Sequence, residues 1–430
     1  MIERVRLLLK NDDVYKSFIV TASLFVSSIF SYLLQLSLGR FLTISEYGEF
    51  GVLLSLSIVF SIPINAFITS VIKMVSDLKA KGEYEAIKSL LPRLIGIVST
   101  IGILVSLLVV FSQSFVLSYL NLEKSDMVLF FSIYLGVSFL IIPPFSYLQG
   151  LSRFKAFSFL SVAASVLRFA IPSFFAFLGL GVSGVYLGMS FSTILSFLLG
   201  LLFLRESLFG GWRNGMNGEY GKLLQFGVAS FLINIGMVLL NNVDVILVKH
   251  FFDGVSAGLY LVSVTVGKVI LFGAGSVSVV MFPQVSEAYA KGGDVSKRLK
   301  PFFIIQLTLA LVSVLMFFTF PDFFVGLLFG ERFLKASFLI PAFSVFMGLY
   351  VMINFMVMFF LAINKGKVFL FQFPAVFLQF VLISLYHESL LEVVIINISI
   401  SLLLLLAIVL YYMGYVGIGN RSVLQAGEDN

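Results

Sequence analysis

PRLIGIVSTIGILVSLLVVFS, residues 92–112, carries a single charge, Arg93, in twenty-one positions. Coiled as an α-helix it rises about 30 Å, the thickness of a bilayer's hydrocarbon core. A barrel strand is about ten residues long and alternates apolar with polar positions; this run is apolar on every face. Outward from it, blocks of similar length recur at 15–38, 48–72, 127–149, 157–178 and 183–204. After a polar break they continue at 223–249, 257–282, 301–320, 337–362, 367–386 and 392–416. Backbone polar groups survive in lipid only when paired within their own segment, so the pattern predicts an all-α integral membrane protein with about twelve transmembrane helices.

Composition agrees. Only 12% of the 430 residues are charged, half the roughly 25% of a soluble domain, too few to cover a water-facing surface. Cysteine is absent, and the two histidines, His250 and His387, lie far apart, so neither a disulfide, a metal site nor any other cofactor is expected. The first apolar run is too long for a signal-peptide core and is expected to stay as the first span. The net charge of +6 does not predict nucleic acid as a partner, because the cations fall in short loops between spans, where the positive-inside rule accounts for them. With the N-terminus inside, twenty-one basic residues fall on inner segments and five on outer ones. That asymmetry places both termini in the cytoplasm of a multi-pass cell-membrane protein and favours an even number of spans.

Shifted by 210 residues, the second span and its following loop land on the eighth. Gly48 meets Gly258, Val52 meets Val262, Ser76-Asp77 meets Ser286-Glu287, and Ala80-Lys81-Gly82 meets Ala290-Lys291-Gly292. A constant offset through an ordered run signals an internal repeat. It divides the chain into a six-helix lobe at 1–210, a cytoplasmic linker at 211–221 and a second six-helix lobe at 222–430, in parallel 6+6 arrangement. Both repeated loops mix charge with apolar residues at helical spacing and are expected to lie as amphipathic helices on the cytoplasmic surface.

An ionisable side chain at mid-membrane costs about 2.5–3.5 kcal/mol on insertion scales and demands a partner, a wet cavity or a role. Arg168 stands near the middle of the fifth span with Ser161 and Ser165 on the same helical face, a stripe expected to line a cavity. Lys268 is mid-way along the eighth span; Asp244 lies in the outer part of the seventh, with Asn241 on its face and Lys249 just beyond. Arg40 ends the first span, and Asn65 sits between Ser61 and Thr69 in the second. Lys268 and Asp244 could instead form a structural ion pair, and Arg40 and Lys249 could be interfacial cations reaching for headgroups. Two deep cations against one shallow acid favour a cavity for an anion.

Four stretches carry a family likeness: Leu38-Gly39-Arg40-Phe41-Leu42 running into Ser45-Glu46-Tyr47-Gly48; Tyr147-Leu148-Gln149-Gly150-Leu151-Ser152-Arg153-Phe154; Asn241-Asn242-Val243-Asp244; and Ala257-Gly258-Leu259-Tyr260. With the repeat, they make the chain resemble the polysaccharide-export branch of the MOP superfamily, the Wzx-type flippases, kin to lipid II flippases and MATE exporters. The resemblance implies two six-helix lobes around a cavity open alternately to each side, and a polyprenyl-diphosphate-linked glycan as substrate. It also implies membrane lipids as surroundings and a transporter rather than an enzyme, with H+ or Na+ as candidate coupling ions; nothing in the sequence demands more than a monomer. Arginines from the first, second and eighth spans line the cavity in lipid II flippases. Lys268 is the plausible counterpart in the eighth, while the second span here offers only Asn65, which argues against lipid II itself. The expected substrate-binding set is therefore Arg168, Lys268, Arg40, Asp244, Asn241, Asn65 and Lys249. A MATE-type exporter of small molecules fits the fold but wants buried carboxylates, and a membrane-bound polymerase or ligase wants a long outer loop that this chain lacks.

Overall fold

The computed structural model describes residues 12–208, 235–291, 293–363, 365 and 368–428. Among them all regular structure is helical. Ten helices are long and apolar enough to cross a membrane. An eleventh apolar helix, Phe369–Leu385, has 17 residues and matches a further expected span. The expected span at 223–249 lies partly outside the described residues; its described part is helical at 235–240 and over Val243–Phe251.

The chain divides into two compact units, Met1–Phe231 and Leu232–Asn430; the expected linker at 211–221 lies outside the described residues. Unit one contains α1 (Asp12–Phe41), α2 (Ile44–Ala80), α3 (Tyr84–Phe111), α4 (Gln113–Tyr119), α5 (Ser125–Ser138), α6 (Ile142–Gly150), α7 (Phe154–Phe177), α8 (Gly181–Phe203) and the short α9 (Arg205–Leu208). A 3-10 turn at Phe139–Ile141 joins α5 to α6. Pro143 and Pro144 at the start of α6 lack N–H groups to continue the α-helical ladder, so the two helices form one broken span. Unit two contains α10 (Val243–Phe251), α11 (Gly254–Ala290), α12 (Val295–Thr319), α13 (Pro321–Phe329), α14 (Ile340–Ala362), α15 (Phe369–Leu385) and α16 (Leu390–Glu428).

The repeat is written in helix ends as well as in residues. Helices α2 and α11 are each 37 residues long and begin and end 210 residues apart. Thr43 caps the first through a hydrogen bond from the Glu46 amide at 3.2 Å, and Asp253 caps the second through one from the Ser256 amide, also at 3.2 Å. At the other end the Glu83 amide donates to the Leu78 carbonyl at 3.0 Å, and the Gly293 amide to the Ala288 carbonyl at 2.9 Å. Every one of these positions is displaced by the same offset. Gly82 stands at φ +75, the left-handed conformation that glycine adopts freely, and closes α2 with a Schellman pair of bonds.

These helices correct one expectation. The charged loops after the second and eighth spans do not form separate surface helices. Helix α2 runs unbroken to Ala80, and α11 to Ala290. At about 1.5 Å per residue each is about 55 Å long, against a hydrocarbon core of about 30 Å, so their charged ends project beyond the lipid.

That end of unit one is closed by a packed cluster including Val75, Leu78, Leu90, Leu91, Tyr147, Leu148 and Phe157. Buried Tyr147 donates to the Ile87 carbonyl at 3.1 Å. Lys79 donates to the Leu151 carbonyl at 2.8 Å, and Arg153 to the Phe203 carbonyl and the Glu206 carboxylate at 3.1 Å each. A Cβ on Gly150 would lie 2.7 Å from Val75. The stretch 147–153 is therefore a packing motif. Outside, α3 exposes Ile103, Leu104, Leu107, Leu108 and Phe111, the surface expected of a helix that faces lipid.

Candidate functional site

Unit one forms a half-open cavity of about 290 Å³ within the depth of its helices. Its wall is drawn from Ser27 and Ser31 of α1, Ile68 of α2, Tyr134 and Ser138 of α5, Phe145 of α6, Ser161, Ser165 and Arg168 of α7, and Ser192, Thr193 and Ser196 of α8. Nine of the fifteen lining residues carry hydroxyls, one is cationic and none is acidic. The local reason is periodicity. Positions three to four apart share a helix face, so Ser27 and Ser31, Ser161, Ser165 and Arg168, and Ser192 and Ser196 each present a polar stripe inward. Close contacts hold the stripes in place. The Ser27 hydroxyl donates to the Ser161 carbonyl at 3.1 Å, the Ser165 hydroxyl to that of Ser27 at 3.3 Å, and the hydroxyls of Ser37 and Ser173 meet at 2.6 Å.

Arg168 has no acid beside it in this wall. Its Nη2 donates to the Tyr134 hydroxyl at 2.9 Å, leaving four guanidinium N–H groups without a partner among the described residues. Tyr134 is itself buried against Tyr186, ring centroids 5.6 Å apart, so the anchor for the arginine is rigid.

The remaining expected residues fall elsewhere. Arg40, in the last turn of α1, and Asn65, on α2, are exposed and do not line this cavity. Asn241, Asp244, Lys249 and Lys268 belong to unit two and are buried. There Asp244 is the centre of a hydrogen-bond network. Its Oδ2 accepts from the Tyr260 hydroxyl at 2.5 Å and from the Asn397 amide at 2.9 Å, and its Oδ1 from the Val245 amide at 2.9 Å. Gln379 extends the network by donating to Asn397 Oδ1 at 2.8 Å and to the Leu240 carbonyl at 3.1 Å. Lys268 feels Asp244 electrostatically, but among the described residues the two form no ion pair within 4 Å. The Asn241 Oδ1 is buried without a hydrogen-bond partner among the described residues.

Sequence reading found Arg168, Ser161 and Ser165 together because one helix carries them. It missed Tyr134, Ser192 and Ser196 in unit one and Asn397 and Gln379 in unit two. Each lies on a different span from the ionisable residue it accompanies, Arg168 or Asp244, and the only signal was a polar residue inside an apolar run.

A family model described as polysaccharide biosynthesis protein matches residues 36–338. No curated protein sequence matches the chain significantly. Among solved structures, the chain is similar to the lipid II flippase MurJ in an inward closed conformation, with TM-score 0.72, 13% identity, and coverage of 92% of this chain and 87% of that one. It is similar to a multidrug resistance MATE family transporter of the MOP superfamily in an inward-facing conformation, with TM-score 0.68, 14% identity, and coverage of 90% and 95%. The Vibrio cholerae MATE transporter VcmN in its bent form gives TM-score 0.59 at 14% identity, covering 92% and 95%. At such identities the likeness is one of fold, and the fold is the one shared with these lipid II flippase and MATE structures, as the sequence resemblance implied.

Proposed function

The chain belongs to the polysaccharide biosynthesis protein family, and from that premise we propose that it is a flippase. It moves a polyprenyl-diphosphate-linked oligosaccharide, an O-antigen or exopolysaccharide repeat unit, from the cytoplasmic to the outer leaflet by alternating access. The observation that carries the proposal is the cavity of unit one: one guanidinium and nine hydroxyls at membrane depth, with no acid in the wall. Lipid tails cannot solvate a glycan, and this wall can. Hydroxyls replace water around sugar oxygens, the guanidinium holds an anionic group by forked hydrogen bonds, and the polyprenyl chain stays in lipid.

The proposed orientation, both termini cytoplasmic, makes export run along the electrical gradient. Each negative charge moved outward across an inside-negative membrane gains about 2.3 kcal/mol per 100 mV. Proteoliposomes holding the purified protein and a fluorescent lipid-linked oligosaccharide test this. Potassium and valinomycin set the potential, and flipping in the exporting direction is expected to accelerate when the side the substrate leaves is made negative. A rate that does not respond to the potential would sink the electrogenic reading. Small-molecule export of the MATE kind shares the fold, but a cationic drug finds no counter-charge in this wall.

A further inference from the structure

The hydroxyls of the unit-one cavity are not equivalent donors. Ser31, Ser192 and Ser196 spend their protons on carbonyls of their own helices at 2.9, 2.8 and 2.7 Å, and Ser165 shares its proton between the Val162 carbonyl at 2.8 Å and the Ser27 hydroxyl at 3.3 Å. Ser27 spends its proton on the Ser161 carbonyl across the α1–α7 contact. A serine that donates back to its helix keeps two lone pairs on oxygen, and those are what it offers a ligand. Donors are few and gathered around Arg168: its four remaining guanidinium N–H groups, the Ser161 hydroxyl, which is buried without a partner among the described residues, and the proton of the Tyr134 hydroxyl, whose oxygen accepts from Arg168. The wall is thus rich in acceptors with one concentrated patch of positive donors.

We infer that this cavity receives a single sugar ring bearing one anionic group, with the ring hydroxyls donating to the serine oxygens and the anion seated on Arg168. A bare diphosphate is the wrong guest. It offers only acceptors, so it would gain the guanidinium and face the serine lone pairs unpaired, and buried unpaired acceptors are costly. Size agrees. About 290 Å³ sits at the lower limit of ligand pockets, roughly 300–1,000 Å³, enough to seat one sugar ring while the rest of a glycan extends through the open side. The inference deepens the flippase reading and rests on it only for where the sugar comes from. Two parts of a lipid-linked glycan carry this chemistry: a uronate ring within the repeat, or the sugar phosphate that joins the glycan to its carrier.

Full-length protein in lipid nanodiscs, titrated calorimetrically with glucuronate, glucose 1-phosphate, glucose and inorganic pyrophosphate, tests it. Glucuronate or glucose 1-phosphate is expected to bind about tenfold tighter than glucose and than pyrophosphate, and whichever is tighter identifies the source. Arg168→Gln is expected to bring the sugar acid down to the level of glucose. The double variant Ser192→Ala, Ser196→Ala is expected to weaken both sugars while leaving the preference for the acid. If Arg168→Gln fails to fold, Arg168→Lys, which keeps the charge without the fork, is expected to lose part of the preference. Pyrophosphate binding as tightly as the sugar acids, or sugar-acid binding indifferent to Arg168, overturns the inference. Flipping of lipid-linked glycan without sugar-acid binding removes the inference and keeps the flippase; sugar-acid binding without flipping does the reverse.

Discussion

Two ionisable residues set within apolar helices have opposite fates here: Asp244 is buried, and Arg168 is exposed at the cavity. Arg168 spends one of five donors, on Tyr134, and keeps the rest for a guest. Asp244 spends both oxygens, on Tyr260, Asn397 and its own neighbour's amide, and so ties α10, α11 and α16 together. Asp244→Asn puts an amide nitrogen against donors that need acceptors. Thermal unfolding in detergent is expected to show a loss of about 1–3 kcal/mol; an unchanged midpoint would mean the network contributes nothing to the unit. The sequence showed that both residues required explanation, since each interrupts an apolar run. It could not tell them apart, because the partner that decides Asp244 is 153 residues away, whereas the stripe that decides Arg168 lies on its own helix.

Helices were the most legible level, and their ends the least. A block of twenty apolar residues can only be a span, but charged residues after it read equally as loop or as helix leaving the membrane. In α2 and α11 the helix continues, stopped by its terminal bonds rather than by the change in polarity. Elsewhere contact distance sets position: a Cβ on Gly102 would lie 2.3 Å from the Gly136 carbonyl oxygen, so α3 and α5 cross at glycine and at no larger residue. The caps give a measurable consequence. Thr43→Val and Asp253→Ala are each expected to cost about 1 kcal/mol, read from thermal unfolding. The Asp253 carboxylate is held below its usual value of 3.8 chiefly by hydrogen bonding to Ser256. Its stabilisation is therefore present above the ordinary carboxylate range and fades as pH falls through the lowered value. An Asp253→Ala penalty that stayed constant into strong acid would contradict the cap.

At the scale of the whole molecule, a repeat of 210 residues reproduces the same long helix, the same start and the same stop in each unit. The polar side chains are not repeated with it. Unit one holds an open guanidinium–hydroxyl cavity, and unit two a closed carboxylate–amide network, so a duplicated fold has been given two different interiors. Duplication was legible because offsets survive in small residues and caps. The cavity was legible only in part, since it is assembled from six helices. Everything functional proposed for the chain requires that a polar glycan cross the bilayer through it. The most direct measurement reconstitutes the purified protein in liposomes with a fluorescent polyprenyl-diphosphate oligosaccharide and follows how much label an impermeant quencher can reach. Quenchable label is expected to redistribute between leaflets with the wild-type protein, and about tenfold more slowly with Arg168→Gln; redistribution no faster than in protein-free liposomes would contradict the account.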